Sequence, residues 1–228
     1  KVIAYDVNPL RIESLKNFED INDQIDSAEL KQTNSIEYVN NQSELANAEV
    51  FIITVPTPID DTNIPDLSYL KEASKTVGIA LKSRSKRELS NKNKMPIIIF
   101  ESTVFPGATE DICIPIIELE SNLTLNSEEI EKGFVCGYSP ERINPGDKQH
   151  RLKDIIKITS GSTKESASWI DNLYSTIIKA GTHKCGSIKV AEAAKVIENT
   201  QRDLNIALIN ELSIIFNKLN IDTFDVLE

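Results

Sequence analysis

The chain has 228 residues, which suffices for one large domain with an extension but leaves little room for two complete domains. Its 35 acidic and 25 basic residues give a formal net charge of −10 at pH 7. Nucleic acid is therefore not expected as a partner. No apolar run approaches the ~18 residues of a membrane helix, and no signal peptide opens the chain, so we expect a cytoplasmic protein without membrane association.

The three cysteines, Cys113, Cys136 and Cys185, lie far apart in the sequence. They form no Cys-x-x-Cys pair and have no histidine-rich neighbourhood, whereas zinc sites need clustered ligands. We therefore predict free, structural thiols and no metal site.

Short apolar runs alternate with helical patterns, which is typical of a parallel sheet with crossover helices. The predicted strands are Val2–Asp6, Ser35–Tyr38, Val50–Val55, Ile97–Phe100, Phe134–Tyr138 and Ile155–Thr159. Predicted helices run from Asn8-Pro9 to about Asn17, Asp66 to about Leu81, Pro106 or Gly107 to about Glu120, and Thr163 to about Ala180. Their starts follow the preference for side-chain caps and for proline in the first turn. The sequence predicts a doubly wound, Rossmann-like α/β fold.

A long segment from Ser187 to Asn220 contains no glycine or proline. Apolar residues recur along it at helical spacing: Val190, Ala194, Ile197, Leu204, Leu208, Leu212, Ile215 and Leu219. The pattern predicts one long amphipathic helix whose apolar face packs on a second domain, a second subunit or both. We place a domain boundary near Gly186, which gives domains at residues 1–186 and 187–228.

A basic stretch, Lys82 to Lys94, has almost no apolar residues. It cannot contribute to a core, so a solvated insertion loop is the favoured interpretation. A basic docking patch is the alternative.

Two predicted strands end in residues suited to a dinucleotide. Asp6 ends the first strand, where an acidic residue can bind the ribose hydroxyls about 20 residues after a glycine-rich turn. That turn would precede Lys1, and a surface or capping carboxylate is the alternative. Thr57, between Pro56 and Pro58, follows the third strand, where open parallel sheets place their ligands. The alternative is that these prolines simply stop the strand.

Two further loops follow strands. Ser102 and Thr103 separate a strand from a helix start, and they either cap that helix or line a site. A loop stiffened by two prolines, Ser139 to Gly146, holds Glu141 and Arg142. A rigid loop at a strand end can position a carboxylate for acid–base work, although an ordinary turn with a surface ion pair is the alternative.

On the long helix, Lys195, Asn199 and Arg202 occupy positions i, i+4 and i+7 and project from one face. Two cations and an amide can hold a pyrophosphate or stabilise an oxyanion. A solvated polar face is the commoner explanation for this spacing.

Taken together, these motifs resemble those of the UDP-glucose/GDP-mannose dehydrogenase family, and they occur in the same order. The resemblance is carried by Asp6, Val55-Pro56-Thr57-Pro58, Glu101-Ser102-Thr103, Ser139-Pro140-Glu141-Arg142-Ile143-Asn144-Pro145-Gly146 and the helix segment from Ala191 to Thr200. The last two are most similar to UDP-N-acetylglucosamine 6-dehydrogenases of capsule and Vi-type polysaccharide synthesis. Apart from the basic stretch, the resemblance covers the whole chain.

The resemblance implies an NAD-dependent enzyme. This family oxidises the sugar C6 alcohol to a carboxylate with two NAD, through an aldehyde, a cysteine thiohemiacetal and a thioester. Asp6 would bind the adenosine ribose and Arg11 would lie against the adenosine. Thr57 and Thr103 would line the rest of the NAD site.

The same resemblance implies catalytic roles for Glu141, Lys195, Asn199 and Thr103. Glu141 would be the base or water-positioning group in thioester hydrolysis, and Lys195 with Asn199 would stabilise the oxyanion and hold the C6 oxygen. The residues implied to contact the UDP-sugar are Arg142, Ile143, Lys195, Asn199 and Arg202. The long helix would begin a central helical dimerisation domain and form a homodimer.

Several departures from the family pattern affect this interpretation. The glycine-rich turn is expected before Lys1, and the nucleophilic cysteine and a UDP-binding C-terminal domain are expected after Glu228. The chain alone is therefore expected to be inactive, with weakened NAD binding. Pro145-Gly146 stands where the UDP-glucose branch has Glu-Gly, which favours an N-acetylhexosamine.

Four alternatives stay open from the sequence: UDP-glucose as the substrate, UDP-N-acetylmannosamine as the substrate, a two-electron dehydrogenase of the related hydroxyacid group, and a non-catalytic dimerising remnant.

Overall fold

The computed structural model describes residues 1–22, 25–33, 35–84, 95–143 and 152–228. Most of the predicted basic stretch, at 85–94, and the loop end at 144–146 lie outside these residues. Within the described ranges, no helix is both long and apolar enough to span a bilayer.

The described part contains eight strands and seven α-helices. The strands are β1 Val2–Tyr5, β2 Ile36–Val39, β3 Val50–Ile53, β4 Ile97–Phe100, β5 Thr124–Leu125, β6 Gly133–Tyr138, β7 Lys157–Gly161 and β8 Thr182–Lys184. The helices are α1 Pro9–Lys16, α2 Ser27–Gln32, α3 Ser68–Arg84, α4 Ile114–Ser121, α5 Lys164–Ser175, α6 Ile188–Lys218 and α7 Thr223–Leu227. Every predicted strand and helix is present, with ends shifted by a few residues, whereas β5, β8 and α2 were not predicted.

The strands form two sheets. β1 and β2 pair in one, and the other has the order β3-β4-β6-β7-β8 with β5 also beside β6. The described pairs are parallel except β6 with β7, where Gly137 faces Gly161 and Tyr138 faces Ser160 in antiparallel register. The predicted parallel, Rossmann-like fold is confirmed, and β6 with β7 is an antiparallel pair within it. Antiparallel neighbours need no crossover helix, and the described part of the β6–β7 connection contains only a short 3₁₀ turn, Leu152–Asp154.

Strand β4 is apolar throughout because both of its faces are covered. Ile98 and Phe100 belong to the main core, which includes apolar residues of α3 and α4. Ile99 faces the other way and packs with Ile170 and Tyr174 of α5. This alternation of faces along one strand explains both the continuous apolar run and the layers of helix on each side of the sheet.

Two helices differ from their predicted extents. The helix after Gly107 begins with a wide π-helical turn, Thr109–Cys113, before α4. The change of pitch comes just before Pro115, which lacks the N–H that a regular α-turn would use. Helix α5 ends at Ser175 instead of near Ala180, and its start is fixed by a capping box between Thr163 and Ser166.

The long helix α6 has a buried beginning and an exposed remainder. Ser187 caps it by accepting the Val190 N–H, and Ile188 and Ala191 are only 1% and 0% exposed within the main core. Farther along, Ile197 and its apolar successors lie at the surface: Leu204, Ile206, Leu208, Ile214, Ile215 and Leu219. The first turns of α6 are thus anchored in the α/β core, and the apolar face beyond them is left open.

Candidate active site

The loops that follow β3 and β4 are tied together by hydroxyl groups. Thr57 Oγ1 donates to the carbonyl oxygen of Thr103 at 2.7 Å, and Ser102 Oγ donates to the carbonyl oxygen of Val55 at 2.6 Å. The Ser102 hydroxyl therefore joins the two loops. The structure brings Thr57 and Thr103 together at the carboxyl ends of neighbouring parallel strands.

The cap of that helix comes instead from the long helix. Glu192 is 0% exposed, and its two carboxylate oxygens accept the backbone N–H groups of Gly107 at 2.6 Å and Thr109 at 3.0 Å. A carboxylate at this point is favoured by the partial positive charge of a helix N-terminus. The protein's own side chain therefore occupies the position at this helix start that favours a negative charge.

Sequence reasoning missed Glu192, although a signal was present. It occupies the buried face of α6 with Ile188, Ala191 and Lys195, at positions i, i+3, i+4 and i+7. A carboxylate on a buried, core-facing helix stripe is rare unless it is paired.

Lys195 interacts electrostatically with four charged side chains, Glu141, Arg142, Glu198 and Arg202, and these five residues are called the Lys195 cluster. The lysine is only 5% exposed. Burial lowers its pKa below the usual lysine range, while the negative charges of Glu141 and Glu198 oppose that change and the two arginines reinforce it. The structure thus gathers four predicted site residues and one that was missed, Glu198.

Glu198 bridges the two arginines of the Lys195 cluster. Its Oε2 accepts from Arg142 Nε at 2.7 Å and its Oε1 accepts from Arg202 Nη2 at 2.9 Å. Arg142 Nη1 also donates to the carbonyl oxygen of Ile156 at 3.1 Å. The loop after β6, the start of β7 and helix α6 are held together at this point.

A second polar cluster lies at the end of β4. Lys157 Nζ is 2.8 Å from Glu101 Oε2, and their side chains are 3% and 14% exposed. The Tyr174 hydroxyl donates to Glu101 Oε1, and Lys157 Nζ also lies 5.0 Å from the centre of the Tyr174 ring. Because β7 is antiparallel to β6, its first residue, Lys157, reaches the sheet edge that carries Ser102 and Thr103.

The remaining predicted residues lie outside these clusters. Asp6 follows β1 and its Oδ1 accepts the Asn8 N–H at 2.8 Å. Its carboxylate is partly exposed, so it could also accept a hydrogen bond from a ribose hydroxyl. Arg11 pairs with Asp20 at 3.1 Å. Asn199 is exposed on α6, one turn beyond Lys195.

Glu141 is held by its own loop, because the backbone N–H of Ile143 donates to Glu141 Oε1. The side chains of both residues are partly exposed. A carboxylate fixed in this way retains one oxygen that can face a ligand.

The three cysteines are free thiols, as predicted. Cys113 and Cys136 are 0% exposed. Burial raises the pKa of Cys113 to about 11 and the pKa of Cys136 well above its usual value. A thiol that stays protonated in an apolar core is a poor nucleophile.

Comparison with known proteins identifies both parts of the chain. Residues 1–178 match the NAD binding domain of the UDP-glucose/GDP-mannose dehydrogenase family, and residues 189–228 match the central domain of that family. The chain is 53% identical over 227 residues to a UDP-N-acetyl-D-glucosamine 6-dehydrogenase of Pseudomonas aeruginosa, covering 100% of this chain and 50% of that protein. It is 52% identical over 227 residues to the Salmonella typhi protein of the same name, again covering 100% and 50%.

A solved structure shows the same fold. The UDP-D-ManNAc dehydrogenase of Pyrococcus horikoshii superposes with a TM-score of 0.81 at 27% identity, over 99% of this chain and 50% of that one. The chain thus spans about half the length of the curated relatives it matches.

Proposed function

The chain belongs to the UDP-glucose/GDP-mannose dehydrogenase family, and from that premise we propose that the full-length protein is a UDP-N-acetylhexosamine 6-dehydrogenase. UDP-N-acetylglucosamine is the proposed substrate, oxidised at C6 to the uronic acid with two NAD for surface polysaccharide synthesis. The two relatives above 50% identity, both UDP-N-acetyl-D-glucosamine 6-dehydrogenases, support this choice.

The observation that carries the proposal is the placement of Lys195. Its amine is buried in a cluster with the Glu141 carboxylate, at the edge where β6 ends and α6 begins. A buried ammonium interacts far more strongly with a developing negative charge than an exposed one does. Such a group is suited to stabilising the oxyanion that forms when an alcohol or aldehyde oxygen takes up charge.

The chain's residues have distinct proposed roles in the reaction. The Lys195 ammonium donates a hydrogen bond to the C6 oxygen, and the Asn199 amide, one turn along the same face, binds that oxygen from the side. Glu141 orients and deprotonates the water that hydrolyses the cysteine thioester, which releases the uronic acid with the cysteine thiol as the leaving group. Thr103 lies on the cofactor side of the reacting carbon. Bound NAD would supply the hydride acceptor for the oxidation at C6.

The proposed cofactor contacts lie at the ends of β1, β3 and β4. Asp6 binds the ribose hydroxyls of the adenosine, and Arg11 lies against the adenosine. Thr57 and Thr103, already joined by a hydrogen bond, line the remainder of the NAD site.

The proposed contacts to the UDP-sugar come from two elements. Arg142 and Ile143 belong to the loop after β6, and Lys195, Asn199 and Arg202 belong to α6. The hydrogen bonds from both arginines to Glu198 support their assignment to one site.

We also propose that residues 1–186 are the NAD-binding domain and that 187–228 begin a dimerisation domain. The support is the exposed apolar face of α6, where Ile197, Leu204 and Leu208 are 67%, 63% and 57% exposed. Such a continuous exposed face is typical of an interaction surface. Light scattering of the full-length protein should give the mass of a homodimer at micromolar concentration, whereas a strict monomer would contradict this assembly.

The function is tested by offering the full-length protein NAD with a panel of nucleotide sugars and recording NADH absorbance. We expect the highest kcat/KM for UDP-N-acetylglucosamine, above UDP-N-acetylmannosamine, UDP-glucose and GDP-mannose. The variant Lys195→Met should lose roughly 10²–10³-fold in kcat, the usual effect of removing an oxyanion donor.

The matched control is Lys189→Met, which removes an exposed lysine from the same helix. Its pair with Asp111, at 3.6 Å between side chains that are 53% and 67% exposed, should matter little. Unchanged turnover in Lys195→Met would refute the catalytic role of Lys195. If no sugar in the panel gave NADH, the proposed dehydrogenase activity would be refuted.

A further inference from the structure

The Lys195 cluster contains a carboxylate that the proposed reaction does not use. Glu198 lies one turn after Lys195 on α6, and each of its oxygens accepts from a different guanidinium group. Because Arg142 belongs to the loop after β6 and Arg202 belongs to α6, the Glu198 side chain fixes the position of that loop relative to the helix.

We propose that Glu198 is a positioning residue for the UDP-sugar: its carboxylate holds Arg142 and Arg202 in one orientation and places a fixed negative charge beside Lys195. This inference rests on the proposed function, because it assigns the two arginines to the substrate face.

The hydrogen bonds among the described residues leave suitable donors. Arg142 uses Nε for Glu198 and Nη1 for the Ile156 carbonyl, so its Nη2 has no hydrogen-bond partner in the part of the chain that the structure describes. Arg202 uses Nη2 for Glu198, and its Nε and Nη1 have no hydrogen-bond partner within the same described ranges. Because Glu198 holds both guanidinium groups in place, their remaining N–H groups can donate to phosphate or carbonyl oxygens of a nucleotide sugar.

Charge balance explains why a carboxylate is needed here. Arg142, Arg202 and Lys195 are three cations in one small region, and of the two carboxylates that act on Lys195 there, Glu141 alone would remain without Glu198. Like charges held this close repel, and flexible arginine side chains would turn toward solvent. With Glu198 present, the cluster keeps a net charge of about +1 by counting its three cations and two carboxylates, which still favours an anionic ligand.

Glu198 also acts on the proton of Lys195. The groups that face this amine are Glu141, Glu198, Arg142 and Arg202, and the two carboxylates raise its pKa against the effect of burial. Removing the Glu198 charge therefore lowers the pKa of Lys195 further. Because the protonated amine is the proposed oxyanion donor, activity would then be lost at a lower pH as the solution is made alkaline.

Two variants separate the two effects. Glu198→Gln keeps the side-chain length but removes the charge, while Glu198→Asp keeps the charge but is too short to reach both arginines. Asp203→Asn is the control, because Asp203 is an exposed carboxylate on the same helix. All three are made in the full-length protein, with circular dichroism and the NAD KM as checks on folding.

We expect both Glu198 variants to raise the KM for UDP-N-acetylglucosamine roughly tenfold, because two side chains with many rotamers must then be immobilised on binding. The KM for NAD should change less than about twofold. The alkaline limb of the kcat profile should move to lower pH in Glu198→Gln and stay in place in Glu198→Asp.

The outcomes distinguish this inference from the proposed function. If the unmodified protein oxidises UDP-sugars but both variants keep its KM and pH profile, only the role of Glu198 is overturned. Equal changes in the KM for NAD and for UDP-sugar would also overturn it, since they indicate a general structural defect. If the unmodified protein oxidises no UDP-sugar, the proposed function itself fails.

Discussion

Removing the Glu192 carboxylate should loosen the helix start at Gly107 by an amount that depends on the replacement. The carboxylate is fully buried and satisfies two backbone N–H groups. Glu192→Ala leaves both without a partner, at about 1–3 kcal/mol each. Glu192→Ala also removes the cost of burying a charge, which offsets part of this loss. We therefore expect a total destabilisation in the lower half of the summed range, about 3 kcal/mol.

Glu192→Gln provides the graded comparison. The amide oxygen can accept one N–H, but the amide nitrogen cannot accept the other, so we expect a loss of about 1–2 kcal/mol. Glu165→Gln, at an exposed position in the first turn of α5, is the control and should change stability by less than about 0.5 kcal/mol.

Amide hydrogen exchange measures the effect locally, which avoids assuming two-state unfolding in a multidomain protein. In the full-length protein, exchange in the peptide containing Gly107 and Thr109 should accelerate roughly hundredfold in Glu192→Ala and roughly tenfold in Glu192→Gln. Equal exchange in all three variants would refute the assignment of Glu192 as the helix cap.

Three more predictions concern buried ionisable groups. Lys157→Met should destabilise the protein by about 3–5 kcal/mol, because it leaves the Glu101 charge buried without its partner. In a thermal melt, adding Glu101→Gln to this variant should restore most of the lost melting temperature. No recovery in the double variant would argue against a stabilising Lys157–Glu101 pair. Cys113 and Cys136 should stay unmodified in peptide maps after native iodoacetamide treatment at pH 8, since burial keeps their pKa raised, to about 11 for Cys113; rapid labelling would contradict the buried core. The alkaline loss of kcat should occur below the ordinary lysine pKa of about 10.4, because burial lowers the pKa of Lys195. The amine is protonated and can stabilise the oxyanion only at pH values below this lowered pKa. Lys195→Arg, which stays charged, should abolish that limb, and an unchanged limb would assign it to another group.

The strands and long helix were predictable because their signals are local. Four consecutive apolar residues at Ile97–Phe100 define β4, and a helical repeat without glycine or proline defines α6. The direction of β7 was not predictable, since pairing with β6 depends on contacts between distant segments. The short strand β8, Thr182–Lys184, carries polar residues and forms only through its pairing with β7.

The site was predictable only in part, for a similar reason. Helical spacing correctly placed Lys195 and Arg202 on one face, but it gives no partner for Glu192 or Glu198. Glu192 caps a helix more than eighty residues earlier in the chain, and Glu198 meets Arg142 from another loop. Carboxylates on amphipathic helices are usually solvated, so only the three-dimensional structure distinguishes these two.

A four-electron oxidation of a UDP-sugar yields two NADH for each sugar, so the NADH stoichiometry distinguishes it from a two-electron oxidation. The full-length protein is incubated with a limiting amount of UDP-N-acetylglucosamine and excess NAD. The NADH formed at completion is quantified by absorbance, and the sugar product is identified by mass spectrometry. We expect two NADH for each sugar and a uronic acid product. One NADH for each sugar, with an aldehyde or ketone product, would contradict it and favour a two-electron dehydrogenase.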